Sequence, residues 1–132
     1  MTEETRDDAI PSVPRLVDVS ALEQALAEFA RERDWEQFHS PKNLVMALAG
    51  EVGELTEVFQ WMTESQSGEA GRDPATARAV REELADVLLY VVRTADVLGV
   101  DLNAAVVDKL RTNAEKYPVS KAHGSSKKYT KL

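Results

Sequence analysis

The chain has 132 residues, 43% of them hydrophobic, with 16 Lys and Arg against 23 Asp and Glu and no cysteine. That length supports one compact domain with its own core; the net charge of -7 argues against general nucleic-acid binding, and the missing thiols exclude disulfides, cysteine nucleophiles and thiolate zinc sites together. The first residues carry Glu3, Glu4, Asp7 and Asp8 where a secretory signal would be apolar, and the longest apolar stretch, Val87 to Val92, is far too short to cross a bilayer, so a cytoplasmic protein without a membrane partner is expected.

In chain order, an acidic leader with Pro11 and Pro14 is expected to be disordered over residues 1–18. Ser20 and Glu23 have capping-box spacing, and Leu22, Leu26 and Phe29 mark a first helix ending near Arg33. Ser40 and Pro41 read as N-cap and first residue of a second helix reaching about Thr63, with Leu44, Leu48, Val52, Leu55, Phe59 and Met62 as its apolar stripe. Residues 64–73, with Gly68 and Gly71, lack periodicity and read as a loop.

Asp73 and Pro74 are expected to open a third helix that runs to Leu98 and stops at Gly99, its stripe formed by Val80, Leu84, Val87, Val91, Ala95 and Leu98. Leu89 and Val92 give this helix a second apolar side. Four helices in so short a chain would struggle to cover both sides, so a subunit interface is the economical explanation and a central helix within the monomer the alternative. Asp101 caps a fourth helix through Lys116, halted by Pro118, and a basic tail follows over 119–132. No strand pattern competes: the expected class is all-α, with a helical domain over residues 19–118.

Two acidic pairs stand out on this scaffold. Glu51-Val52-Gly53-Glu54 and Glu83-Leu84-Ala85-Asp86 each place two carboxylates at i and i+3 on the flank of an apolar stripe, with Cβ atoms roughly 5 to 6 Å apart. Either pair alone reads as a solvated face. Jointly they repel without a neighbouring cation at i+4, and a bound divalent ion would relieve that; hard oxygen donors suit Mg²⁺ or Mn²⁺.

The spacing Glu51-x-x-Glu54, then 28 residues, then Glu83-x-x-Asp86 is similar to that of the MazG-like all-α nucleoside triphosphate pyrophosphohydrolases. Arg33-Asp34-Trp35-Glu36-Gln37-Phe38-His39, Gly50-Glu51-Val52-Gly53-Glu54-Leu55, Phe59-Gln60-Trp61 and Glu82-Glu83-Leu84-x-Asp86-Val87-Leu88 resemble its dCTP pyrophosphatase branch, as do Lys109-x-x-x-Asn113-x-x-Lys116-Tyr117-Pro118 and Ser125-Ser126-Lys127-Lys128-Tyr129. One departure is Gly50, which stands where the wider superfamily often has the first of two adjacent acids.

The resemblance implies a four-helix core, association into dimers or tetramers, and hydrolysis of a deoxynucleoside triphosphate to monophosphate and pyrophosphate, as in sanitation of the nucleotide pool. It points to dCTP or a 5-modified dCTP, with dUTP and dTTP as alternatives. Glu51, Glu54, Glu83 and Asp86 would be the catalytic metal ligands, with Mg²⁺ as cofactor.

Trp35, His39 and Trp61 are candidates for the base, since aromatic faces stack on any base and imidazole can bond its edge. Tyr90, one turn beyond Asp86, reads either as a contact to the sugar or as simple packing. Lys109, Asn113 and Lys116 share a helical face and, with Ser126 and Lys127 of the tail, would meet the polyphosphate; read without the resemblance, the three are a solvated basic face near a helix C-terminus. Two other classes compete. A carboxylate-bridged di-iron bundle needs two Glu-x-x-His motifs, and Glu36-Gln37-Phe38-His39 supplies one. A non-enzymatic helical interaction module would carry the carboxylates as surface decoration.

Overall fold

The structure, a computed structural model, describes residues 13–132; residues 1–12 of the expected leader lie outside the described residues. Regular structure among the described residues is entirely helical, as expected. The chain divides into two compact units, Val19–Val100 and Asp101–Leu132 together with the segment ending at Asp18.

The first unit contains α1 (Ser20–Glu32), a 3-10 turn (Glu36–Phe38), α2 (Pro41–Phe59), α3 (Glu64–Glu69) and α4 (Ala77–Leu98). α4 packs chiefly along α2 and secondarily against α1. Ala30 of α1, Leu44 of α2, and Val92 and Ala95 of α4 are buried. α2 begins as its sequence predicts: Pro41 occupies the first turn and Ser40 Oγ accepts the Asn43 N–H at 3.2 Å.

Other boundaries differ from expectation for local reasons. Val19, not Ser20, is the N-cap of α1, and no side chain caps it; starting one residue early moves Glu23 out of the third helical position, so the expected capping box does not form. α2 stops at Phe59 rather than near Thr63. Thr63 instead caps α3 inside the expected loop, where Gln66 N–H donates to Thr63 Oγ1 at 3.1 Å and Thr63 N–H to Gln66 Oε1 at 2.9 Å. A six-residue helix is too short to show a period, so the Thr-x-x-Gln box was its available signal. Asp73 and Pro74 form a turn ahead of α4, with Asp73 Oδ1 accepting from Ala75 N–H at 2.9 Å and the Asp73 carbonyl from Ala77 N–H at 2.8 Å.

α1 and α4 end in the same way. Past α1, Trp35 N–H donates to the Ala30 carbonyl at 2.8 Å and Asp34 N–H to the Arg31 carbonyl at 3.1 Å, with Asp34 at φ 55°. Past α4, Val100 N–H reaches the Ala95 carbonyl at 2.8 Å and Gly99 N–H the Asp96 carbonyl at 3.1 Å, with Gly99 at φ 70°. Both are Schellman closures, which need a left-handed residue. Glycine adopts that conformation freely; aspartate is among the few other residues that visit it routinely.

The apolar stripes are only partly covered. Leu84 and Leu98, expected in the core-facing stripe of α4, are about half exposed, as is Leu88, whereas Val92 of the expected back surface is fully buried. The helices packed on α4 decide which of its two apolar sides is enclosed. On α2, Val45, Met46 and Val52 are also exposed.

In the second unit, α5 (Leu102–Lys116) is capped by Asp101, which accepts from Ala104 N–H at 3.0 Å. Asn103 Oδ1 accepts from the Leu16 and Val17 N–H groups at 2.8 and 3.0 Å, and its Nδ2 donates to the Pro14 carbonyl at 2.9 Å. These bonds fix residues 14–17, the end of the expected leader. The basic tail contains α6 (Val119–Ala122) and a 3-10 turn (Tyr129–Lys131). It returns to the end of α5, where the Tyr117 and Tyr129 rings meet edge-on at 6.0 Å and the Lys116 ammonium lies 4.8 Å from the Tyr129 ring centre. Among the described residues no helix is long and apolar enough to cross a membrane.

Candidate metal and nucleotide site

Side-by-side packing of α2 and α4 converts two helical i, i+3 pairs into one cluster. Glu51, Glu54, Glu83 and Asp86 can each offer an oxygen within 4.8 Å of the others. Glu51, Glu83 and Asp86 are half-buried and Glu54 is exposed. Oε2 of Glu51 and of Glu83 is shielded from solvent and accepts no hydrogen bond. No ion pair among the described residues involves these four carboxylates; the nearby Arg78 pairs with Glu82 at 2.8 Å.

Electrostatics follows from that crowding. Burial, then the neighbouring Glu54 carboxyl, then the charges of Asp86 and Glu83 push the Glu51 carboxyl up to about 7. Glu83 is raised as well, by burial first, then by the Glu54 carboxyl and the surrounding acids. Four hard oxygens with no protein cation, two of them shielded and unbonded, fit a divalent metal ion.

Glu51 and Asp86 also line a cavity of about 210 Å³ whose other walls are aromatic and apolar apart from Arg93. Trp35 and His39 enter from the α1–α2 connector, where the Asp34 closure turns the chain, and Tyr90 enters from α4 one turn beyond Asp86. The Trp35 ring meets Phe29 edge-on at 5.7 Å and His39 at 6.5 Å. The Arg33 guanidinium covers the Phe29 ring at 3.5 Å. Arg93 is buried beside them: its Nε donates to His39 Nδ1 at 3.1 Å, and its Nη1 lies 3.4 Å from Asp96 Oδ2. Burial, with Arg93 adding to it, lowers the His39 pKa against the opposing pull of Glu36.

The structure therefore brings together the four expected carboxylates, and brings Trp35, His39 and Tyr90 to one cavity with two of them. Trp61 does not line this cavity; it sits in the turn after α2, 87% exposed. Lys109, Asn113 and Lys116 share α5, and Ser126 and Lys127 lie in the tail, all in the second unit. Sequence reasoning missed Leu26, Phe29, Leu89 and Arg93. Phe29 and Leu26 read as a packing stripe. Arg93 had a signal, since Asp86, Tyr90 and Arg93 fall at i, i+4 and i+7 on one face of α4.

An all-α fold that gathers four carboxylates beside an aromatic cavity fits a metal-dependent enzyme acting on a small molecule, and the family the chain matches is one of metal-dependent pyrophosphatases. Residues 47–132 match the MazG-like family, and the chain belongs to that family. It is 51% identical over 119 residues to dCTP pyrophosphatase 1 of Homo sapiens, covering 90% of this chain and 68% of that protein. The Bos taurus protein of the same name is 50% identical over 121 residues, covering 92% of this chain and 70% of that one. A pyrophosphatase from Archaeoglobus fulgidus has a crystal structure that superposes with a TM-score of 0.71 at 37% identity, covering 76% of this chain and 92% of that one.

Metal binding at this site should depend on pH with a definite sign. Without metal, the Glu51 carboxyl ionises at about 7 in the folded chain against 4.5 ordinarily, so its stabilising contribution is present below 4.5 and is lost as pH rises through about 7. A divalent ion needs the carboxylate form. The rise in melting temperature caused by excess Mg²⁺ over EDTA should therefore be small near about pH 5 and grow through about pH 7. Scanning fluorimetry across that range checks this; a melting temperature indifferent to Mg²⁺ at about pH 8 would remove the metal from the cluster.

Proposed function

We propose that this chain is a Mg²⁺-dependent pyrophosphohydrolase that converts dCTP, or a 5-modified dCTP, and water to the monophosphate and pyrophosphate, acting in the cytoplasm on the nucleotide pool. One observation carries the reading: Glu51 and Asp86 belong both to the carboxylate cluster and to the wall of the aromatic cavity. A nucleotide with its base among the aromatic side chains then has its phosphates at the acids. The roughly 50% identity to proteins named dCTP pyrophosphatase 1 supports the choice of substrate.

Glu51, Glu54, Glu83 and Asp86 would hold the ion. Bound there, the ion supplies the positive charge that admits a triphosphate to an acidic site and offsets charge on the departing pyrophosphate. Trp35 offers a face to the base, His39 a hydrogen bond to its edge, and Tyr90 a wall against the sugar, where a 2′-hydroxyl would be crowded. A water molecule that passes a proton to one of these carboxylates would attack phosphorus in line and break the bond between the α and β phosphates, releasing monophosphate and pyrophosphate. For Lys109, Asn113 and Lys116, with Ser126 and Lys127, we propose a phosphate-binding role within the second unit; the Lys116–Tyr129 contact, which draws the tail to the end of α5, supports grouping them. Exposed Leu84, Leu88, Val45 and Met46 support a homo-oligomer, a dimer or tetramer. Trp61 stays exposed in the single chain and free to meet a base or a second copy.

Glu54→Gln and Asp86→Asn keep size and remove charge, so each should leave the helical signal intact while lowering turnover about a hundredfold or more. Pyrophosphate release from dCTP, dUTP, dTTP and the ribonucleotides, with and without Mg²⁺, tests class and substrate together: dCTP should turn over fastest and only with metal. Near-normal activity of both variants in saturating Mg²⁺ would overturn the site, and preference for dUTP or dTTP would overturn the base assignment.

Trp35 is 44% exposed, so Trp35→Ala should fold normally yet lose on the order of 1 to 3 kcal/mol of nucleotide affinity. Calorimetric titration with a non-hydrolysable dCTP analogue measures this; unchanged affinity with a collapsed melting temperature would make Trp35 a packing residue. Light scattering after size exclusion should give a mass above the 14.6 kDa of one chain. An active species of single-chain mass would exclude the oligomer.

A further inference from the structure

We infer that Arg93 is a positioning residue for the base pocket, fixing His39 in the tautomer that carries its proton on Nε2, so that His39 meets the nucleotide only as a donor. The inference deepens the reading of the cavity as a base pocket and rests on it for its functional consequence, while the tautomer itself stands on the protein alone. A guanidinium has five N–H donors, no acceptor, and stays protonated in proteins. Its Nε lies 3.1 Å from His39 Nδ1 in donor geometry, so Nδ1 must present a lone pair. A neutral imidazole with a bare Nδ1 carries its hydrogen on Nε2.

The surroundings keep the ring neutral. Burial and the adjacent guanidinium disfavour a second proton, and Glu36 in the 3-10 turn is the opposing charge. Asp96 balances Arg93 from α4 at 3.4 Å, and Glu51 and Asp86 lie in the wall of the same cavity. Arg93 is 8% exposed, an unusual place for a guanidinium without a task, and the carboxylate cluster makes no use of it. With Nδ1 engaged, Nε2 is the ring nitrogen left for a ligand. A donor there suits the adjacent carbonyl and unprotonated ring nitrogen of cytosine; the N3–H of uracil or thymine is itself a donor and would be repelled in the same place.

Long-range proton–nitrogen NMR of the full chain without nucleotide reads the tautomer directly, with exposed His123 as the internal reference. His39 should show an unprotonated Nδ1 and a protonated Nε2 at neutral pH, while His123 exchanges between forms. Arg93→Met should release His39 into a tautomer mixture and raise KM for dCTP about tenfold, with kcat changed by no more than about twofold. Arg93→Gln, which keeps an N–H donor without the charge, should restore the tautomer and most of KM. A protonated Nδ1 in the unsubstituted protein overturns the inference whether or not the variants fold, as does an Arg93→Met protein with unaltered tautomer and KM. A fixed tautomer in a protein that does not hydrolyse dCTP would support the Arg93–His39 pairing and count against the dCTP reading.

Discussion

Packing α2 against α4 forces four carboxylates toward one point, and the rest of the site depends on how that repulsion is relieved. Ionised carboxylates whose oxygens all lie within 4.8 Å of one another repel, less where solvent reaches Glu54. Apolar contacts between the helices must hold the pair together against this. Without metal the folded chain relieves the repulsion by keeping a proton: burial first, then the neighbouring acids, push the Glu51 carboxyl up to about 7. A divalent ion relieves it without that proton and makes the cluster useful to a polyphosphate. The strain that opposes folding is thus the source of the affinity for metal.

α4 carries more of the site than any other element because its rows align with two different tasks. Glu83 and Asp86 face the carboxylates of α2, and Asp86, Tyr90 and Arg93 continue along one face into the cavity. The opposite wall depends on three residues of connector. The left-handed turn at Asp34 reverses the chain directly after α1 and sets Trp35 against Phe29, with His39 within reach of Arg93. An aspartate at that turn costs more than glycine would, but its carboxylate accepts from the Gln37 side chain at 3.0 Å, which steadies the 3-10 turn leading to His39.

How legible each part was in the sequence follows from the range of the interaction that makes it. Periodicity exposed the long helices and the i, i+3 acids, since both are set by the local turn angle, and Ser40-Pro41, Gly99 and Asp101 marked ends because capping is a contact between near neighbours. α3 stayed hidden because six residues carry no period, and Ser20 misled because either it or Val19 could open α1. Convergence of Glu51 with Glu83 was inferred from the two flank pairs taken jointly and from the family pattern; nothing local shows that α2 lies beside α4. Which part of the apolar surface of α4 is covered within the chain is a tertiary fact, so Leu84 of the expected stripe is half exposed while Ala95 of that stripe and Val92 of the second side are buried. Arg93 was passed over because an arginine in an amphipathic helix reads as solvated until a partner such as His39 is seen beside it.

The carboxylate cluster and the uncovered apolar surface share the same stretches of backbone. Val52 lies between Glu51 and Glu54, Leu84 directly follows Glu83, and the two side chains line one shallow groove with Leu55 and Phe59. Val52 and Leu84 remain about half exposed in the single chain. A second copy seated there would remove that apolar surface from water and clamp the turns of α2 and α4 that carry the ligands. It would also lower the dielectric around acids already short of partners, disfavouring their charged forms without metal and strengthening their attraction for the ion. Assembly and metal binding would then favour each other through one helix pair, with no separate structural device needed to couple them.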